Sequence, residues 1–188
     1  MELTDPRALR ALAHPTRLEL MGLLRLGEPL TATQAGERIG ESPASCSFHL
    51  RQLAKYGLVE EAGGGRGRER PWQATASSTE WAAAGGGEEA DEAGAMLSRL
   101  VVERHFQSAL DWLGRRAEED PEWIEATTIS DALVYMTPDE LRSLDKGVRA
   151  LLEPYLKRLE DPTPAEGARP VNVMVIGFPL SDEGKGER

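Results

Sequence analysis

Apolar residues in the first third of the chain recur at helical spacing, and cap and stop residues separate the stripes. PRALRALA, preceded by Thr4 and Asp5, predicts a short first helix with Pro6 in its first turn. His14-Pro15 interrupts it, and PTRLELMGLLRLG follows. There Leu18, Met21 and Leu24, joined by Leu20 and Leu23, make a broad apolar face that Gly27 and Pro29 bring to an end. A third helix in TATQAGERIG starts from Thr31 or Thr33 and stops at Gly40. Ser42 caps a fourth, with Pro43 at its first position and Gly57 as the positive-φ residue that closes it. LVEE then opens a strand, GGGRGRE is a tip, and ERPWQAT returns as a second strand, with Pro71 suited to its entrance or to an edge.

Beyond Thr75 the pattern loosens. TASSTEWAAAGGGEEADEAG is small, polar and glycine-rich, as linkers are. Helical spacing returns from about Ala93 to about Glu119, with Met96, Leu97, Leu100, Val101, Phe106, Leu110 and Leu113 at apolar positions. TTISDALVYMT predicts a strand. Thr137, Pro138 and Glu140 then predict a capping box that opens the helix PDELRSLDKGVRALLEPYLKRL, with Pro154 as a point of bending or restart. In RPVNVMVIGFPL, Val171, Val173 and Val175 predict a mostly buried strand able to pair with the earlier one. The expected fold is α+β. It divides into a first domain at 1–76, a linker at 77–92, a second region at 93–180 and a frayed tail at 181–188.

Composition narrows the function. A single cysteine, Cys46, rules out an intrachain disulfide and a thiolate cluster, which fits a reducing, cytoplasmic compartment. No leader pattern opens the chain, and no apolar run approaches the roughly 20 residues that span a bilayer, so no membrane partner is expected. The net charge of −10 argues against a polyanionic partner until its distribution is considered. Residues 1–75 carry 10 Lys and Arg against 9 Asp and Glu, whereas residues 76–188 carry 12 against 23. The acidity belongs to the second part.

On a helical wheel of ESPASCSFHLRQLAKYGL, Cys46, Leu50 and Leu53 share one side at i, i+4 and i+7. Cys46 is therefore a small core residue on this pattern; a redox or ligand role is the competing one. Ser45, Phe48, Arg51 and Gln52 turn outward and carry the group types that reach base edges and phosphates. The third and fourth helices, joined by the tight ERIGESP turn, match a helix-turn-helix unit, although a plain packed helix pair shares that outline. The tip that follows carries Arg66, Arg68 and Arg70 in alternation. A hairpin so equipped can lie along a phosphate backbone, and taken with the helix pair it points to a winged helix.

Residues 5–75 resemble the winged-helix domain of the ArsR family of bacterial transcription regulators. ALAHPTRLELMGLL resembles that family's first two helices, SFHLRQLAKYGLV its recognition helix and first wing strand, and the glycine- and arginine-bearing tip its wing. The resemblance covers about 70 residues and implies a homodimer that binds an operator in double-stranded DNA and releases it on an intracellular signal. It places Ser45, Ser47, Phe48, His49, Arg51 and Gln52 on or beside the recognition surface, with His49 as much a support as a contact, and Arg66, Arg68 and Arg70 on the wing.

The chain departs from the family's metal sensors. AGERIGES lacks the cysteine pair of their third-helix site, and the three histidines, His14, His49 and His105, are scattered; Glu103 and His105, at i and i+2, do not share a helix face. No metal, cofactor or catalytic site is expected. There is no glycine-rich phosphate loop after a strand and no HExxH, and the carboxylates of Glu118, Glu119, Asp120 and Glu122 read as solvated surface. The second region is too long for a dimer helix alone. Its Trp112, Trp123, Tyr135, Met136, Tyr155 and Phe178 either close a small core or line a site for a small organic effector. The function this supports is sequence-specific operator binding by a homodimeric regulator, with a winged-helix protein-interaction module as the alternative.

Overall fold

The computed structural model describes residues 1–63, 70–82, 85–160 and 166–180. The elements run β1 (Glu2–Leu3), α1 (Pro6–Leu12), α2 (Pro15–Leu26), α3 (Ala32–Ile39), α4 (Pro43–Ala54), β2 (Val59–Glu61), β3 (Trp72–Ala74), β4 (Glu80–Trp81), α5 (Glu88–Arg115), α6 (Pro121–Ala126) and α7 (Pro138–Lys157). Single 3-10 turns follow α5 and α7.

Local chemistry accounts for the first four helices. Asp5 caps α1 by accepting from the Arg7 N–H at 2.8 Å. Thr31, not Thr33, caps α3 in a reciprocal box with Gln34. Ser42 caps α4 by accepting from the Ser45 N–H at 3.1 Å. At the other end of α4, Gly57 has φ +68°, and the Leu58 N–H turns back to the Leu53 carbonyl at 3.1 Å. β2 and β3 form the expected antiparallel pair, with Glu60 opposite Gln73. Leu30 bonds to the other side of Trp72 through both backbone groups, so β3 lies between two partners.

The core joins these helices to the start of α5. Leu20, Cys46, Leu50, Leu53, Leu58, Val59 and Leu97 are fully buried, and Leu9, Leu12, Met21, Leu24, Leu30, Ala35, Trp72 and Ala93 are among the other buried members of the cluster. Leu100 and Val101 are its last, partly buried members.

The stretch 77–92, expected as a linker, carries structure at both ends. Glu80 and Trp81 pair in parallel with Glu2 and Leu3, and the Trp81 indole donates to the Ser98 hydroxyl at 2.9 Å. Arg25 of α2 donates to the Ala76 carbonyl at 3.3 Å and to Thr79, tying this connection to the core. Burial, with Arg104 adding repulsion, lowers the Arg25 guanidinium to about 10. The long helix begins at Glu88, five residues before the expected Ala93, and ends at Arg115, with a 3-10 turn to Glu118. Glu88, Glu89 and Asp91 place negative charge at its positive end, which favours the early start.

The second region departs furthest from expectation. Neither TTISDALVYMT nor VNVMVIGF forms a strand, and among the described residues no strand follows Trp81. They are not buried either: Tyr135 is fully exposed and Val175 is 59% exposed. Apolar alternation selects a face but supplies no hydrogen-bonding partner, and neither segment finds the other. A short helix, α6, appears instead after Asp120, whose carboxylate accepts from the Glu122 N–H at 2.9 Å. The Thr137–Glu140 capping box opens α7 as expected. The helix runs through Pro154 to Lys157 without restarting.

Candidate nucleic-acid interface

The spacing between α3 and α4 depends on Gly36. A Cβ there would lie 2.5 Å from the Glu41 carbonyl oxygen. The Glu41 N–H in turn donates to the Gly36 carbonyl at 3.0 Å. Gly40, at φ +75°, reverses the chain between the two helices. This fixes α4 with Cys46, Leu50 and Leu53 inward. Burial pushes the Cys46 thiol up, with Glu41 adding to the effect, and this disfavours the reactive thiolate.

The outer face of α4 presents Phe48, 53% exposed, with Arg51 and Lys55 exposed beside it. The Arg51 Nε donates to the Ser47 carbonyl at 3.1 Å, laying the guanidinium along the helix. Ser45 and Ser47 are half-buried near the N-terminal end. Two of the sequence-predicted residues turn toward one flank. His49 faces His14 at the start of α2, with ring centroids 4.6 Å apart, and meets the Phe48 ring edge-on at 5.2 Å. Gln52 lines an open cleft with Arg7, Arg10, Ala11, Arg17 and Tyr56. On the hairpin, Arg70 pairs with Glu61 at 2.5 Å, so its charge is partly engaged at home. Arg66 and Arg68 lie outside the described residues.

Burial is the main cause that holds both His14 and His49 below the ordinary histidine value. Arg17 adds repulsion to each, His14 adds more to His49, and Glu41 opposes. The fold therefore favours neutral rings, and the unfolded chain takes up protons first as pH drops below about 6.5. This contribution to stability is complete above that pH and is lost as pH falls through the lowered folded-state values. A falling Tm is expected as pH drops below about 6.5, with a flatter decline in His49→Gln. Parallel slopes for the two proteins would assign the pH dependence to other groups.

In the second region the six effector candidates do not converge. Trp112 lines a cleft of about 150 Å³ with Arg116, Ile124, Thr127 and Ile129, well below the roughly 300 Å³ at which drug-sized sites begin. Trp123 lies under the Arg169 guanidinium and Tyr155 under that of Arg158, each at 4.9 Å. Tyr135, Met136 and Phe178 are exposed. The carboxylate run is partly used: Glu119 binds Arg169 at 2.8 Å, and Asp120 caps α6. His105 contacts the Asn172 amide oxygen at 2.7 Å.

Residues 12–62 match the family model of a helix-turn-helix domain. The match spans α2, α3, α4 and β2, the elements that build the outer face of α4. A helix-turn-helix domain points to DNA as the partner and to transcription regulation as the role. No curated protein matches the chain. No helix among the described residues is long and apolar enough to cross a membrane.

Proposed function

We propose that the protein is a cytoplasmic, homodimeric regulator of the ArsR type that binds a specific operator in double-stranded DNA. The observation that carries this is the helix-turn-helix domain itself: α4 is held by a wholly apolar inner stripe and offers Phe48, Arg51 and two serines at its free face. Two such helices would enter successive major grooves about 34–36 Å apart. Support for the homodimer comes from α5. Past the core, Val102, Phe106, Leu110 and Leu113 are exposed at helical spacing, a stripe suited to a second copy. The acidic second region would face away from the duplex. A small organic molecule remains the proposed input there, and the chemistry is binding, not catalysis.

Selection from a random duplex pool at fixed salt tests the reading. An enriched motif with a two-fold repeat is the expected result. Retention that depends on salt but enriches nothing would favour the alternative, a winged helix used for protein contact, to which the net charge of −10 lends weight.

A further inference from the structure

A helix about 10–12 Å across nearly fills a major groove of about 12 Å. Whatever packs beside such a helix must therefore lie over one of the two phosphate rims. On one flank of α4 that neighbour is the cleft lined by Arg7 and Arg10 of α1, Arg17 of α2, and Gln52 and Tyr56. No carboxylate lines it, and its volume is about 280 Å³. Lys55 adds a further cation over the Tyr56 ring, 5.6 Å from its centroid.

The cations of this cleft differ in how they are engaged. Arg10 is held from α5 by Glu89 at 2.5 Å and by Glu92 at 3.4 Å. Arg7 and Arg17 make no ion pair among the described residues. Arg17 is half-buried, and its Nε is shielded from solvent without a hydrogen-bond partner. The only other shielded, unpartnered side-chain nitrogens among the described residues are His14 Nδ1 and His49 Nδ1, on the same α2–α4 flank. Of these, the Arg17 Nε–H is a donor whatever the histidine tautomers, and a donor shielded without an acceptor suits a polar group supplied by a partner.

Resting on the DNA-binding reading above, we propose that this cleft is a second DNA contact. It would seat a backbone phosphate at the edge of the groove that α4 enters, with Arg17 and Arg7 as its cations and Gln52 and Tyr56 as neutral donors. In this role Gln52 positions the domain on the backbone and reads no base.

The test uses the full chain as wild type, Arg17→Gln, Arg17→Lys and Arg7→Gln, titrated on the selected operator and on an unrelated duplex. Each phosphate contact makes binding about threefold more sensitive to a rise from 50 to 200 mM salt. A variant lacking two contacts per dimer should thus lose about tenfold less affinity over that range. Arg17→Gln and Arg7→Gln should weaken binding to both duplexes by the same factor, and Arg17→Lys should keep most of the salt dependence. One uncharged methylphosphonate per half-site should weaken the wild type but not Arg17→Gln. Arg7 is exposed at the start of α1, so Arg7→Gln carries the test if Arg17→Gln unfolds.

Wild-type salt dependence in folded Arg17→Gln and Arg7→Gln would overturn the proposal while leaving the DNA-binding reading in place. Saturable binding of inorganic phosphate, lost in Arg17→Gln with DNA titrations unchanged, would assign the cleft to a free oxyanion and overturn it as well. A wild type that binds no duplex at any salt would remove both.

Discussion

Gly36→Ala is expected to abolish operator binding, with a loss of stability of roughly 1–3 kcal/mol. The added methyl would fall 2.5 Å from the Glu41 carbonyl oxygen. That contact is with backbone, so no side chain can swing aside to relieve it. α3 and α4 must separate or the turn must change, and the Glu41 N–H loses its short path to the Gly36 carbonyl. Either adjustment moves the outer face of α4 relative to the rest of the domain. Urea unfolding and duplex titration, run together, check both halves. A variant with wild-type midpoint and wild-type affinity would show that the turn tolerates a side chain.

The second large effect is expected at Phe106 and Leu110. Replacing both by Glu should convert the proposed dimer to a folded monomer, because both side chains are exposed and lie beyond the last members of the core, Leu100 and Val101. Operator affinity should fall by roughly 10²–10⁴, since two linked reading heads gain that much from effective concentration. Sedimentation velocity gives the mass, and titration on a two-site duplex gives the affinity. A double variant that stays dimeric places the seam elsewhere.

What the sequence made legible was local. Ser42 with Pro43 and Thr137 with Glu140 announce helix starts because each cap closes its bonds within a few residues, whereas at α3 the sequence left Thr31 and Thr33 as alternatives. The Cys46–Leu50–Leu53 stripe was legible for the same reason. The pairing of Glu2–Leu3 with Glu80–Trp81 was not, since it joins short segments 78 positions apart and has no signature in either. The glycines before Glu88 suggested a linker and hid the first turn of α5. In 127–137 and 171–178 the period of the apolar residues was read correctly as a pattern and wrongly as a strand, because a strand also needs an unpaired neighbour at the right distance. The α1–α2–α4 cleft was hidden for a similar reason. Arg7, Arg17 and Gln52 come from three separate helices, and only their packing brings them to one place.

α5 is buried in the core at one end only. Ala93 and Leu97 are buried in the core, Leu100 and Val101 are half-covered, and the helix then continues to Arg115. That leaves about 20 Å of helix beyond the core at 1.5 Å per residue. A tilt of about 10° at its root moves its tip by about 3.5 Å over that length. The part beyond the core is thus a lever. A partner holding the tip works against the domain's hydrophobic root with mechanical advantage, and a shift too small to disturb packing at Leu97 becomes a displacement of atomic size at Leu113.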